Sequence, residues 1–375
     1  MKYCTRCLQP DTRPNTIFSP EGICPACKYF DALQLVDWSE RLEILQELLS
    51  RYKRKRGQFH DCIIGVSGGK DSTRQALFLR DKLGLNPLLV CLTYPPDQLT
   101  DRGAANLSNL IELGFDLVVT APGPQTWKAL KREGFRRFAN SFRSTEMALF
   151  ASVPQIAIKY GIKLIMWGEN PALQLGDMKT LGRNGYDGNN LRYMNTLSTG
   201  LEWMLDFGVS KFELLLYKYP AIDEFYKHDL QIVYLGWFLG DWSLVNNAGY
   251  ACGNGIEIRS DGVETTGDLY GVTALDEDFT PVNQLIKYYK YGFGRVTDYV
   301  NEEIRFGRIN RKDGVTLVEK YDGAYDERYI YEYCNYLEIS TAEFWSIVKA
   351  STNRSLFRVD RYGYLHRKFV VGVGI

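Results

Sequence analysis

The stretch Gly65-Val66-Ser67-Gly68-Gly69-Lys70-Asp71-Ser72 decides the fold of this sequence. It joins an apolar run at 62–66 to a segment of helical pattern at 72–83. Adjacent glycines allow the backbone to turn tightly and bring several N–H groups close to an anion. The N-terminus of the following helix adds a partial positive charge. The octet therefore predicts a phosphate-binding loop between a buried strand and a helix.

This loop differs from the two best-known phosphate-binding motifs. A Walker A loop requires Ser or Thr directly after Gly-Lys, whereas Asp71 follows Lys70 here. The octet also lacks Gly-x-Gly-x-x-Gly. The alternative interpretation is an ordinary glycine-rich turn in which Asp71 caps the helix.

The pattern on either side of the loop predicts an α/β fold. Buried strands are expected at 62–66, 87–93, 115–120 and 163–167, with helices over 72–83, over 102–113 and up to residue 160. Continuous apolar strands between amphipathic helices indicate a parallel sheet that is covered on both faces. Ligands of such sheets bind beyond the carboxyl ends of the strands, where the octet lies.

The pattern changes along the chain and predicts five regions. Helical patterns occur at 39–52 and again at 282–291, 297–306, 317–321 and 326–337, and the stretch between 171 and 282 has no clear period. We therefore expect a cysteine module, a linking helix, an ATP-binding core, a substrate-facing irregular region and a helical C-terminal region. These span 1–38, 39–59, 60–170, 171–282 and 283–375, respectively.

Cysteines in the first region form two C-x2-C pairs, Cys4 with Cys7 and Cys24 with Cys27, with 16 residues between the pairs. This spacing is typical of a tetrahedral Zn²⁺ site in a zinc-ribbon-like module. Four thiolate ligands leave no open position, so the metal is expected to be structural. An iron–sulfur cluster and a redox pair are the alternatives.

Composition restricts the class of partner. The 375 residues include 45 basic and 45 acidic side chains, and this neutrality makes a nucleic-acid partner unlikely. The sequence shows no apolar segment typical of a secretory signal, and no run long enough to span a membrane. A cytoplasmic location, without membrane contact, is therefore expected.

The loop resembles the PP-loop of ATP pyrophosphatases (adenine-nucleotide α-hydrolases), in which Ser-Gly-Gly-x-Asp-Ser grips the leaving pyrophosphate. Two further parts of the chain are similar to stretches of the N-acetyl sugar amidotransferases. They are Trp167-Gly168-Glu169-Asn170-Pro171 and the run at 290–308. Together with the N-terminal cysteines, this resemblance spans nearly the whole chain. Residues 172–177 depart from the acidic and aromatic residues that family members often have there, so the resemblance does not select a particular sugar.

The resemblance implies an enzyme that uses ATP, Mg²⁺ and ammonia to convert an acetamido group of a surface-polysaccharide precursor to an acetamidino group. It implies a nucleotide site and a substrate site. The ATP-binding residues would be Gly65, Ser67, Gly68, Gly69, Lys70, Asp71, Ser72, Thr93 and Gly168, the catalytic residues Ser67, Asp71 and Glu169, and the substrate-binding residues Asn170 and Arg295. Glu169 as a helix cap or arginine partner, and Arg295 as a salt-bridge partner of Asp298, are the competing interpretations.

The source of ammonia is the remaining question. Residues 251–255 superficially resemble a glutaminase nucleophile elbow around Cys252, but Tyr250 and Asn254 occupy the positions where that motif has glycine. A separate glutaminase subunit and a barrel-type subunit that conducts ammonia are what the resemblance implies. The alternative function is tRNA thiolation by a PP-loop enzyme. A third possible function is that of a non-catalytic nucleotide-binding scaffold.

Overall fold

A computed structural model describes residues 1–53, 59–168, 176, 184–194 and 196–375. Seven strands are found there: Cys62–Gly65 (β1), Pro87–Leu92 (β2), Leu117–Thr120 (β3), Leu164–Trp167 (β4), Gln231–Tyr234 (β5), Phe357–Val359 (β6) and Leu365–Arg367 (β7). The first five form one parallel sheet in the order β3-β2-β1-β4-β5, and β6 and β7 form an antiparallel pair.

Helices cover the sheet and form the C-terminal region. Within the described residues, the α-helices are Pro25–Leu33 (α1), Trp38–Ser50 (α2), Lys70–Asp81 (α3), Asp101–Glu112 (α4), Pro124–Phe138 (α5), Arg143–Tyr160 (α6), Glu202–Leu205 (α7), Ile222–His228 (α8), Leu244–Cys252 (α9), Val263–Thr266 (α10), Thr280–Tyr291 (α11), Arg295–Arg305 (α12), Arg311–Tyr321 (α13), Glu327–Leu337 (α14) and Thr341–Ser351 (α15). The predicted fold class, a parallel sheet between helices with a helical C-terminal region, is confirmed. Among these helices, none combines the length and apolarity needed to cross a bilayer.

Strands β1, β2, β4 and β5 are buried on both faces, which explains their continuous apolar sequences, whereas the edge strand β3 is only partly buried. Ile63 and Ile165 belong to the cluster on the α6 face, with Val153. The neighbouring residue Ile64 belongs instead to the cluster on the opposite face, with Leu77 of α3. Successive side chains of a strand point to opposite faces, so each strand supplies both clusters.

Strand β5 lies in a region where the sequence pattern predicts no regular structure. It has only four residues, and Ile232, Val233 and Tyr234 are all buried. Burial on both faces removes the alternation of polar and apolar residues by which a strand is recognised. The sequence pattern also failed to predict helix α15. Helix α13 was predicted, but it begins six residues before its predicted start.

The N-terminal cysteine module packs against the C-terminal helices. Leu8 donates its backbone N–H to Asn301 Oδ1 of α12 at 2.7 Å. The guanidinium of Arg311, at the start of α13, donates to the carbonyl oxygen of Cys7 at 3.3 Å. The rings of Phe30 and Phe306 meet edge to face with centroids 5.0 Å apart. The two ends of the chain therefore form one packed unit.

Candidate active site

The phosphate loop has backbone features that only glycine accommodates easily. Gly68 adopts a φ of +76°, and a Cβ there would lie 2.8 Å from Asn106 Cβ. Gly69 is the N-cap residue of α3, and no side chain caps this helix. The first N–H groups of a helix have no partner within the helix, so those of α3 remain available to an anion. Asp71 lies inside the first turn and is not its cap.

A cavity of about 230 Å³ opens beside this loop at the carboxyl ends of β1, β2 and β4. Its walls include Gly65, Ser67, Gly69–Ser72 and Gly168, together with Leu92 at the end of β2. Leu149, Ser152 and Val153 of α6 form another part of the wall, and the segment Val272–Leu275, which precedes α11, forms a third. The structure thus brings most of the predicted ATP-binding residues to one cavity at the expected edge of the sheet.

Asp71 is held by a chain of polar contacts. Lys70 Nζ donates to its Oδ2 at 2.7 Å, and Asn247 Nδ2 of α9 donates to its Oδ1 at 2.6 Å. Arg74 donates to Asn247 Oδ1 and also forms an ion pair with Asp241 at 2.7 Å. The residue Asn247 is only 1% exposed, and its side-chain amide is fixed by the hydrogen bonds to Asp71 and Arg74. Sequence reasoning missed Asn247, because it lies in the stretch without a clear period.

One donor at the cavity lacks a partner. Gln75 lines the cavity, and its Nε2 is buried without a hydrogen bond to any described residue. A Cβ on Gly168 would lie 3.0 Å from Gln75 Oε1, so the glycine lets this side chain approach β4. Buried donors usually have partners, and an unpaired one at a cavity suits an acceptor atom of a ligand.

Other predicted site residues lie elsewhere. Thr93 directly follows β2, and its backbone N–H donates to the carbonyl oxygen of Thr120 at 2.9 Å. Among the described residues, Thr93 and Gly68 are not in the wall of the cavity. Glu169 and Asn170 lie outside the described residues, so their predicted roles stay predictions.

Arg295 lies next to the candidate active site but not in it. It lines a second space of about 10 Å³, and Thr273 belongs to the walls of both spaces. Asp298 forms ion pairs with Arg13 and with Lys287, the latter at 2.6 Å. Burial by itself would raise the pKa of Asp298, but Arg13 and Lys287 hold it below its ordinary value. Arg295 also lowers the pKa of Asp298 but forms no ion pair with it among the described residues. The direct partners of this carboxylate are therefore Arg13 and Lys287.

The four N-terminal cysteines converge. Their Sγ atoms all lie within 4.8 Å of one another, and all four residues are buried. The Cys7–Cys24 and Cys4–Cys27 sulfur pairs are 3.7 Å and 4.0 Å apart. Zn–S bonds of about 2.3 Å in a tetrahedron place the sulfurs about 3.8 Å apart. The cysteines of a four-iron cluster bind different irons, which spreads the sulfurs farther apart. The arrangement fits a single metal ion.

Backbone amides support the same centre. Cys24 N–H donates to Cys4 Sγ at 3.2 Å, and Gln9 N–H donates to Cys7 Sγ at 3.4 Å. Backbone N–H groups that donate to thiolate sulfurs stabilise them as metal ligands. The remaining cysteines are not part of the cluster: Cys62, Cys91 and Cys334 are buried, and Cys252 is exposed.

The C-terminal region matches a known protein family. Residues 270–369 match the model of the LPS biosynthesis protein WbpG-like, C-terminal domain. The matched stretch contains the cavity wall 272–275 and Arg295. It also contains helices α11 to α15, of which α12 and α13 contact the cysteine module.

The chain is also similar to individual proteins, at sequence identities of 25% or less. The chain is 25% identical over 170 residues to "Uncharacterized protein MJ1599" of Methanocaldococcus jannaschii, covering 44% of this chain and 58% of that relative. The chain thus matches little more than half the length of this curated relative. NMN synthetase from Francisella tularensis is 14% identical with a TM-score of 0.29, covering 52% of this chain and 92% of that chain. The U34-tRNA thiolase NcsA from Methanococcus maripaludis, solved with its 4Fe–4S cluster, is 11% identical with a TM-score of 0.28, covering 85% and 88%.

Proposed function

We propose that this chain is an ATP-dependent amidotransferase of the PP-loop type, which converts an acetamido group of a sugar to an acetamidino group. The observation that carries the proposal is the uncapped helix start of α3, which borders a cavity together with Asp71. The match of residues 270–369 to a domain of LPS biosynthesis proteins supports a polysaccharide precursor as the substrate.

The proposed chemistry overcomes the low reactivity of an amide. The acetamido oxygen attacks the α-phosphorus of ATP, and the bond to pyrophosphate breaks. The adenylated imidate that results has AMP as a good leaving group. Ammonia adds to the imidate carbon, loses a proton, and the C–O bond breaks to release AMP and leave the amidine. Each turnover therefore produces one AMP and one pyrophosphate.

The cavity residues have distinct parts in this reaction. Backbone N–H groups at the start of α3, with the Ser67 hydroxyl, stabilise charge that develops on pyrophosphate. Asp71 and the Ser72 hydroxyl would hold Mg²⁺, which neutralises phosphate charge when it is bound. Gln75 Nε2 supplies a further donor at the same cavity. We also propose that Cys4, Cys7, Cys24 and Cys27 hold a structural Zn²⁺.

The proposal is tested by incubating the protein with ATP, Mg²⁺, ammonium and a panel of acetamido sugars. We expect pyrophosphate release that depends on the sugar, and a product lighter by the mass difference between O and NH. Unfractionated tRNA with a sulfur donor is the second arm. Pyrophosphate release with tRNA and with no sugar would replace the proposed function by tRNA thiolation. No release in either arm would favour a non-catalytic nucleotide-binding protein.

Dependence on the nitrogen source is a further prediction. The isolated chain should work with high ammonium and not with glutamine, because Cys252 is exposed without the glycines of a glutaminase elbow. Addition of a glutaminase and its ammonia-conducting partner should make glutamine effective. The measurement is amidine formation by mass spectrometry with each nitrogen source.

A variant of Cys252 separates the two interpretations of this residue. Cys252→Ala should retain turnover with ammonium. Glutamine use by the purified chain, abolished by Cys252→Ala, would contradict the proposed division of labour between subunits.

Asn247→Ala should lower kcat about tenfold or more, because Asp71 Oδ1 loses its buried donor. The Kd for ATP should change much less, since the N–H groups of the loop remain. Asn246→Ala is the matched control, because this exposed neighbour donates to the Asp241 carbonyl instead of to Asp71. Equal effects of the two substitutions would argue against a positioning role for Asn247.

A further inference from the structure

A second cavity lies in the C-terminal region and shares no lining residue with the nucleotide cavity. Its volume is about 330 Å³, at the lower end of the range for small-molecule sites. Five aromatic side chains form most of its wall: Tyr289, Tyr325, Trp345, Tyr362 and Tyr364. The surface of this concave space is therefore mostly aromatic.

Two of these rings are presented to solvent by an ordered turn. Tyr362 and Tyr364 are 70% and 68% exposed. Both donate their backbone N–H to Asp360 Oδ1 at 2.9 Å, and His366 Nε2 lies 2.8 Å from the other oxygen of Asp360. The turn between β6 and β7 is therefore held in place before any ligand binds. A backbone that is ordered before binding lowers the entropic cost of placing these rings against a ligand.

Two charged side chains complete the wall. Glu327 and Lys349 both line the cavity, and neither forms an ion pair with another residue of the described chain. The Lys349 ammonium lies 3.0 Å from where a Cβ on Gly363 would be, and Gly363 has a φ of +89°. This glycine permits the turn and leaves room for the ammonium. An acceptor and a donor without partners are thus available between aromatic rings.

We infer that this cavity binds a saccharide of one or two rings. The C–H groups on one face of a pyranose carry partial positive charge and pack against the negative faces of aromatic rings. Glu327 accepts hydrogen bonds from sugar hydroxyls, and Lys349 donates to them. One carboxylate and one ammonium leave the wall with no net charge, which suits an uncharged hydroxylated ring better than a multiply charged phosphate, and the volume is too small for an extended polymer. The inference does not depend on the proposed reaction, because the two cavities have separate walls.

Saturation-transfer NMR on the full chain tests this inference. The probes are glucose, N-acetylglucosamine, N-acetylneuraminic acid and, as a nucleotide control, AMP. We expect transfer to the ring protons of at least one saccharide at concentrations up to about 10 mM. Tyr364→Ala and Lys349→Ala should each weaken that binding about tenfold or more. Tyr226→Ala removes an equally exposed tyrosine from α8 and should leave the affinity unchanged.

Three results would overturn the inference. The first is the absence of transfer to every saccharide. The second is saccharide binding that is equally strong in the wild type and in both cavity variants, which would place the sugar elsewhere. The third is AMP binding that Tyr364→Ala abolishes, which would make the cavity a nucleotide site. Because Tyr364 is exposed, its removal should not unfold the protein, and circular dichroism of each variant checks this.

Discussion

Replacing Asp71 by Asn, or Ser67 by Ala, should lower the rate of pyrophosphate release about 10²–10³-fold, the usual effect of removing one group that stabilises charge in a transition state. Asp71 lies at the cavity and is held by Lys70 and Asn247, so its carboxylate is fixed relative to the loop. Asp71→Asn keeps the shape of the side chain and removes the charge that would hold Mg²⁺. Ser67→Ala removes a hydroxyl from the wall of the same cavity.

The measurement is sugar-dependent pyrophosphate release, together with thermal unfolding to verify the fold. Asp81→Asn is the matched control, because Asp81 ends the same helix and pairs with Arg80 at 2.6 Å on the exposed side. It should retain full activity. Turnover by Asp71→Asn or Ser67→Ala equal to that of the wild type would remove the loop from the mechanism.

Loss of the metal should have the largest effect on stability. We expect one equivalent of Zn²⁺, and we expect chelation or Cys7→Ser to unfold the N-terminal module. Structural Zn²⁺ contributes about 10–16 kcal/mol in zinc-finger peptides, and the first 38 residues bury few large side chains of their own. ATP binding should survive, because the nucleotide cavity is formed by residues outside this module.

Metal analysis by mass spectrometry and hydrogen exchange of the N-terminal peptides check this prediction. Exchange should also rise in α12 and α13, since Asn301 and Arg311 contact the module. Cys252→Ser is the control, because it removes an exposed thiol outside the cluster. Iron in the purified protein, or no metal in freshly reduced protein, would contradict the zinc assignment.

Local features of the chain were predictable from sequence because they depend on neighbouring residues. The turn at Gly68 requires a positive φ, and this requirement is visible in the Gly-Gly pair itself. Strands β1 to β4 are runs of apolar residues between helical patterns. This pattern is typical of a parallel sheet that has helices on both faces. The paired cysteine spacing likewise predicts a metal centre, and the four sulfurs do converge.

The partners that complete the site depend on contacts between distant parts of the chain. Asn247 reaches Asp71 across 176 residues, and the wall at 272–275 closes the cavity from a region without a helical or strand period. Leu8 meets Asn301 across 293 residues, which joins the cysteine module to the C-terminal helices. The periodicity of apolar residues along the chain does not predict such long-range contacts. Hydrophobic burial is not directional, and many arrangements of the same elements bury similar areas.

The sequence by itself determined the glycine-rich loop, the central parallel strands and the cluster of four cysteines, because backbone geometry and the spacing of paired cysteines are local properties. Only the tertiary structure decided that β5 joins the sheet, that Asn247 holds Asp71, and that Thr93 lies outside the cavity wall. It also decided that five distant aromatic residues share one cavity in the C-terminal region. These features depend on the close packing of the interior, because the position of each side chain is determined by the side chains around it.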